Sequence, residues 1–161
     1  MNRRLVPDYT YDSVYDIEYD VLKEKGIKAL IFDIDNTLAS YDTLKPDEKL
    51  KSLFKRLISM DFKIYFLSNN NQTRVTTFAD GTEIPHRWRA CKPLKIFIWR
   101  AMRQMKVTKA ETALVGDQLF TDVLGANRMG VTSVLVQPVS LNNEDKFVAF
   151  KRRFEKMITK S

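Results

Sequence analysis

Short apolar runs alternate along this chain with segments whose apolar residues recur at helical spacing. The runs are four or five residues long and end at polar residues, as buried strands do. They predict strands over residues 29–32, 63–67, 112–115 and 132–136. Strands that are apolar on both faces are typical of a parallel sheet with helices on each side. We therefore expect an α/β fold with a mainly parallel sheet.

The intervening segments carry apolar residues three and four positions apart, which is the pattern of amphipathic helices. Gly26 and Gly130 suit helix C-termini, and Asp47 suits a helix N-terminus. The predicted helices cover residues 15–25, 47–60, 73–79, 92–105, 121–129 and about 143–160. The chain has 161 residues and contains no Gly/Ser linker or internal repeat, so we expect one domain over residues 1–161.

The composition limits which cellular compartment and which kinds of binding partner we expect. Cys91 is the only cysteine, which excludes an internal disulfide and a cysteine cluster for zinc. No apolar run reaches the ~20 residues of a membrane span, and we expect no secretory signal at the N-terminus. A cytoplasmic location is the simplest expectation. The net charge of +7 favours anionic partners, although an excess of lysine that only maintains solubility is an equally good interpretation.

Polar residues follow three of the predicted strands at the points where the strands end. Asp33, Ser68 and Asp117 each come directly after an apolar run. In parallel α/β sheets, ligands bind beyond the carboxyl ends of the strands. We therefore expect these three side chains to meet in one crevice.

Two pairs of carboxylates suggest a cation in that crevice. Asp33 and Asp35 lie two positions apart, and Asp122 lies five positions after Asp117. Buried carboxylates repel one another unless a cation or a shared proton lies between them. Mg²⁺ prefers such hard oxygen ligands. Gly116, just before Asp117, is expected to allow a tight turn between strand and loop.

Two further elements suit a phosphate group. Ser68 and Asn69 follow a strand, where a hydroxyl and free backbone N–H groups can hold phosphate oxygens. Lys92, which precedes Pro93, is predicted to add positive charge beside the N-terminus of helix 92–105.

These elements, in this order, resemble the signature motifs of the haloacid dehalogenase (HAD) superfamily. The motifs are Asp-x-Asp-x-Thr from Asp33, a serine at the end of a strand, Lys-Pro, and Gly-Asp-x4-Asp from Gly116. Within the superfamily the sequence resembles the YqeG family of small phosphatases. That similarity rests on LIFDIDNTL at 30–38, LSNN at 67–70, GDQ at 116–118 and TDVLGAN at 121–127. The same family includes mitochondrial phosphatidylglycerophosphate phosphatases.

The resemblance implies a three-layer α/β/α Rossmann-like core and a role for each motif residue. Asp33 would attack phosphorus and form an aspartyl-phosphate. Asp35 would protonate the leaving oxygen and then activate water. Asp33, the backbone carbonyl of Asp35, and Asp117 would hold Mg²⁺.

The remaining motif residues are expected around the phosphoryl group and the ion. Ser68, Asn69 and Lys92 would contact the phosphoryl group. Two interpretations of Asp122 stay open: it is a direct ligand of the ion, or it supports the ligands from behind.

The spacing of the motifs leaves no room for a substantial cap domain. Asp33 and Ser68 are 35 positions apart, and Ser68 and Lys92 are 24 positions apart. Enzymes of this superfamily often carry caps at these two points, so the resemblance implies an open site. An open site suits a phosphate attached to something large, such as a lipid, a nucleic acid or a protein.

Two basic stretches bear on the substrate. The predicted helix 143–160 has an apolar stripe between basic residues, and it either lies on a membrane or packs on the domain. The stretch 86–100 combines basic residues with two tryptophans; it either faces anionic headgroups or places the tryptophans in the core.

Three hypotheses for function remain. The leading one is a phosphatidylglycerophosphate phosphatase in phospholipid synthesis, with an anionic lipid headgroup as its substrate and peripheral attachment to the inner face of the membrane. A phosphatase of a nucleotide, sugar phosphate or phosphoprotein is the second. An RNA- or ribosome-associated binding protein is the third; no nucleic acid is expected, because a recognised RNA motif is missing.

Overall fold

Six strands, all parallel, form one sheet in the computed structural model, which describes residues 3–140. In chain order they are β1 (Tyr9–Tyr11), β2 (Ala29–Phe32), β3 (Lys63–Leu67), β4 (His86–Arg87), β5 (Thr112–Gly116) and β6 (Thr132–Val136). Across the sheet the order is β1-β6-β5-β2-β3-β4. The prediction of a mainly parallel sheet is confirmed. The predicted helix 143–160 lies outside the described residues.

Within residues 3–140, five α-helices cover the two faces of the sheet. They are α1 (Tyr19–Glu24), α2 (Glu48–Ser59), α3 (Gln72–Ala79), α4 (Ile96–Met105) and α5 (Leu124–Met129). Helices α1, α2 and α3 pack on one face, and α4 and α5 pack on the other. The predicted three-layer α/β/α architecture is therefore confirmed.

The alternation of side chains along β2 explains the two cores. Leu30 and Phe32 point into the core beneath α1–α3, whereas Ala29 and Ile31 point into the core beneath α4 and α5. All four side chains are fully buried. Because successive residues of a strand face opposite sides, a strand inside a three-layer fold must be apolar throughout.

The helices differ from the predictions mainly at their N-termini. The predicted helix 15–25 begins at Tyr19, because the Ser13 side chain accepts the Tyr15 N–H (3.2 Å) and donates to Asp16 (2.7 Å), which holds a turn before it. The first three residues of the predicted helix 121–129 belong to a π-helical turn, Leu119–Val123, and α5 begins at Leu124. The C-termini of the helices agree better with the predictions than the N-termini do. Gly130, for example, terminates α5 with a φ of 82°.

The predicted helix 92–105 begins four residues later, at Ile96. The backbone of Lys92 is engaged elsewhere: its N–H donates to Asn69 Oδ1 (2.8 Å) and its carbonyl accepts from Asn69 Nδ2 (3.1 Å). The Lys92–Pro93 peptide bond is cis. The expectation that Lys92 lies at a helix N-terminus is therefore wrong, and Lys92 belongs to the loop before α4.

Strands β1 and β4 were not predicted. They are three and two residues long and occupy the two edges of the sheet. Neither has the run of apolar residues that marks a buried strand, because an edge strand has fewer neighbours to cover it. His86 and Arg87 pair with Phe66 and Leu67 of β3.

The strand order places a switch point between β2 and β5. From β2 the chain adds β3 and β4 on one side, and it then returns to add β5 on the other side. Ligands of open α/β sheets bind at such a crevice. Residues 34–67 contain α2 and β3, and residues 69–91 contain α3 and β4, so neither segment holds an additional domain. Within residues 3–140, no helix has the length and hydrophobicity to cross a bilayer.

Candidate active site

Three carboxylates meet at the switch point. Asp33 follows β2, while Asp117 and Asp122 follow β5, and all three are buried. One oxygen from each lies within 4.8 Å of the others. Asp33 and Asp117 can hold one ion together only if their carboxylates lie close to each other, and in the structure they do. The backbone causes this, because β2 and β5 pair directly from Ala29 and Thr112 onwards.

Thr37 bridges two of these carboxylates. Its hydroxyl oxygen lies 3.1 Å from Asp33 Oδ2 and 3.0 Å from Asp117 Oδ1. A hydroxyl has one proton to donate, so the second contact needs a proton on a carboxyl group. Thr37, the threonine of the Asp-x-Asp-x-Thr motif, therefore contacts two of the carboxylates directly, and its role is more than shaping the loop.

Burial favours the protonated forms of two of the acids by raising the pKa of each. It raises the pKa of Asp33 to about 6, although Lys92 acts in the opposite direction. It raises the pKa of Asp117 to about 8, and the neighbouring Asp33 and Asp122 carboxylates add to the effect. A cation placed among them would reverse this balance by favouring the charged forms. The cluster, with its hard oxygen donors, fits a divalent cation.

Lys92 extends into the same cluster. Its ammonium donates to Asp33 Oδ1 at 2.8 Å and to Asp122 Oδ1 at 2.6 Å. Burial opposes the charge of Lys92, but Asp122 and Asp33 outweigh that effect and raise the pKa of Lys92. Lys92 therefore stays protonated beside the predicted nucleophile. Asn69 was predicted to bind phosphate. Its side-chain amide forms hydrogen bonds with the Lys92 backbone, and its contact with phosphate stays a prediction.

Asp122 uses both of its oxygens inside the protein. Oδ1 accepts from Lys92, and Oδ2 accepts from the Gln118 N–H at 3.2 Å. A Cβ atom at Gly116 would overlap the Asp122 side chain. The glycine is therefore needed for this close approach, whereas a tight turn was expected. The ion pair with Lys92 supports the interpretation of Asp122 as a residue behind the ligands.

Asp35 lies apart from the carboxylate cluster. Its Oδ1 accepts from Arg74 Nε at 3.0 Å and its Oδ2 accepts from Asn70 Nδ2 at 2.9 Å. Arg74 also donates to the carbonyl groups of Thr43 (2.6 Å) and Ser40 (3.2 Å). Sequence reasoning missed Arg74, because nothing in its spacing marks it. Only the packing of α3 brings it to Asp35.

A cavity of about 240 Å³ opens above these groups. Ser68 lies in its wall and accepts the Asn70 N–H at 3.1 Å. The cavity therefore brings together Asp33 after β2 and Ser68 after β3, whereas Asp117 after β5 lies in the carboxylate cluster and is not among the lining residues. Its lining residues are Asp33, Asp35, Tyr41, Ser68, Asn69, Asn70, Lys92, Gln118 and Thr121.

Comparison with known proteins shows which family has this arrangement of residues. A family model described as mitochondrial PGP phosphatase, in which PGP is phosphatidylglycerophosphate, matches residues 1–140. The chain belongs to this family. It is 35% identical over 159 residues to the probable phosphatase YqeG of Bacillus subtilis (strain 168), a match that covers 98% of this chain and 91% of that protein.

A plant relative agrees with this membership, and a solved structure shares the fold. Phosphatidylglycerophosphate phosphatase 1, chloroplastic/mitochondrial, of Arabidopsis thaliana is 30% identical over 166 residues, which cover 97% of this chain but 47% of that protein. In fold, the chain is similar to the cobalt-bound form of a deoxy-D-mannose-octulosonate 8-phosphate phosphatase from Haemophilus influenzae. The TM-score is 0.51 and the identity 20%, over 59% of this chain and 61% of that chain. This PGP phosphatase family member is a phosphatase with the HAD fold.

Proposed function

We propose that the chain is a Mg²⁺-dependent phosphomonoester hydrolase that removes the terminal phosphate of phosphatidylglycerophosphate through an aspartyl-phosphate on Asp33. The observation that carries the proposal is the contact between Asp33 and Lys92, 2.8 Å apart, on the wall of an open cavity and within the carboxylate cluster. It joins a nucleophile, a fixed positive charge and a candidate cation site.

In the first step, an oxygen of Asp33 attacks phosphorus and the bond between phosphorus and the glycerol oxygen breaks. Asp35 gives its proton to that oxygen, so a neutral alcohol leaves. Lys92 stabilises the negative charge on the phosphoryl oxygens, where Ser68 and backbone N–H groups add hydrogen bonds. A carboxylate nucleophile divides one difficult displacement into two easier ones.

In the second step, Asp35 takes a proton from a water molecule, and the water oxygen attacks phosphorus. Phosphate leaves and Asp33 is regenerated as a carboxylate. Arg74 and Asn70 hold the Asp35 carboxyl group at 3.0 and 2.9 Å, so the same oxygens are oriented for both proton transfers.

The expected ligands of Mg²⁺ are Asp33, Asp117 and the backbone carbonyl of Asp35. When bound, the ion supplies positive charge that offsets the repulsion between the carboxylates and the phosphoryl group. The Asp122–Lys92 pair supports this site from behind.

A lipid substrate is supported by three observations. Two relatives are named phosphatidylglycerophosphate phosphatases, the cavity carries no covering domain between residues 34 and 91, and the net charge is +7. The proposed partner is an anionic lipid headgroup, reached from the cytoplasmic side by peripheral attachment.

The test compares phosphate release from phosphatidylglycerophosphate in mixed micelles with release from a sugar phosphate and a nucleotide. The parent, Asp33→Asn and the matched control Asp61→Asn, at an exposed position, are assayed with Mg²⁺ and with EDTA. We expect a preference for the lipid, loss of all turnover in Asp33→Asn and EDTA, and a phosphorylated intermediate that hydroxylamine cleaves. Equal turnover of the soluble phosphates would refute the lipid substrate and leave the phosphatase chemistry intact.

A further inference from the structure

The large exposed hydrophobic side chains are distributed unevenly. Residues 3–140 contain seven of them, and six lie in the segments that follow β2, follow β5 or lead from Lys92 into the first turn of α4. The seventh, Ile58, lies near the C-terminus of α2. We call the six the docking face: Tyr41, Leu44, Leu94, Ile96, Trp99 and Phe120.

The docking face begins at the opening of the catalytic cavity and continues to a separate apolar pocket, which is lined by Leu94, Lys95, Ile96, Trp99, Lys109 and Met129. Tyr41 lines the cavity, and Phe120, which is 62% exposed, lies between two lining residues, Gln118 and Thr121. Leu94 is two positions from Lys92 and is 53% exposed. Scattered exposed hydrophobics are ordinary on a protein surface, but a group that extends from the catalytic cavity to an apolar pocket indicates a binding surface.

The charge next to this face is positive. Residues 84–110 contain eight lysines and arginines and no acidic residue, and seven of the eight lie outside the carboxylate cluster that buries Lys92. Lys95 is exposed between two members of the docking face, and the Arg103 guanidinium lies 5.0 Å from the Trp99 ring centroid. Asp42, beside Tyr41, is an exposed acidic residue at the other flank. Tryptophan with lysine and arginine is typical of the interface between water and an anionic bilayer.

We propose that the docking face inserts into an anionic phospholipid bilayer and presents the cavity to the membrane surface. The proposal rests on the proposed lipid substrate. A cavity of about 240 Å³ admits a headgroup and leaves the acyl chains in the bilayer, so the enzyme must approach with this edge. Apolar side chains that lie on several separate segments, from the cavity to the pocket beside α4, suit a broad, flat partner.

The experiment measures sedimentation of the full chain with vesicles of phosphatidylcholine, with and without phosphatidylglycerol. Leu44→Ser, Leu94→Ser and Phe120→Ser are compared with Ile58→Ser, the matched control away from the cavity. Each of the three is expected to bind the anionic vesicles about three- to tenfold more weakly, since each loses the burial of one apolar side chain. Ile58→Ser is expected to bind like the parent, and all variants should hydrolyse p-nitrophenyl phosphate equally.

The outcomes separate this proposal from the proposed function. If the parent hydrolyses phosphatidylglycerophosphate but the three variants bind vesicles as the parent does, the docking face is refuted and the function stands; the segment 141–161 would then be the candidate for attachment. If the parent binds vesicles through this face and hydrolyses soluble phosphates equally well, the substrate is refuted and docking stands. Binding to RNA or protein without binding to vesicles would also refute docking.

Discussion

Lys92 and Asp122 form an ion pair at 2.6 Å in which each side chain is only 2% exposed. The two residues are 30 positions apart, one in the loop before α4 and the other in the segment after β5. The pair therefore joins two loops of the site. Without Asp122, the buried Lys92 ammonium would keep Asp33 as a carboxylate partner at 2.8 Å but would leave one donor unsatisfied.

Asp122→Ala is accordingly expected to lower the free energy of unfolding by about 1–3 kcal/mol, because Lys92 loses one buried hydrogen bond and keeps the other. Urea unfolding with and without Mg²⁺ measures it. The control is Asp80→Ala, which breaks an exposed pair with Lys45 at 2.9 Å and should leave stability unchanged, because solvent screens such pairs. Equal effects of the two substitutions would contradict the structural importance of the buried pair.

The contact between Gly116 and Asp122 gives a second prediction. Gly116→Ala is expected to destabilise the protein by about 1–3 kcal/mol, because the new Cβ overlaps the Asp122 side chain and the loop must shift. The measurement is a double-mutant cycle by urea unfolding. In an Asp122→Gly background the same substitution should cost much less. An undiminished cost would indicate that the backbone at position 116, and not the carboxylate, requires glycine.

The central part of the fold and site follows from local patterns. Asp33 and Asp117 could be predicted because both follow apolar strands, and parallel strands bring their carboxyl ends together. The anchoring of Asp35 by Arg74 could not be predicted, since the two residues are 39 positions apart and only tertiary packing joins them. The predicted start of α4 is wrong for a related reason. The Asn69 side chain forms hydrogen bonds with the backbone N–H and carbonyl of Lys92, which the pattern places in the helix.

Arg74 yields a prediction about proton transfer. Arg74→Ala should lower kcat for an alkyl phosphate by roughly 10- to 100-fold, because an unanchored Asp35 is a poorer general acid, a role worth ~10²–10⁴-fold. p-Nitrophenyl phosphate should lose less, since its leaving group departs without a proton. Arg74→Lys should recover part of the activity, and Arg56→Ala, at an exposed position of α2, should change neither rate. An equal loss for both substrates would show that Arg74 acts only on the fold.

The raised pKa of Asp117 makes the stability of the metal-free protein depend on pH. Its folded-state pKa is about 8, against ~3.9 for an unfolded aspartate, so between these values the folded state binds the extra proton. Stability must therefore fall as pH rises, by roughly 1 kcal/mol per unit from this group. Between pH 6 and 8, urea unfolding in EDTA should show this slope, and Asp117→Asn should lack it. Mg²⁺ should stabilise the parent more at pH 8 than at pH 6, because the ion favours the charged carboxylates. A slope that is the same in Asp117→Asn would remove this carboxyl group from the explanation.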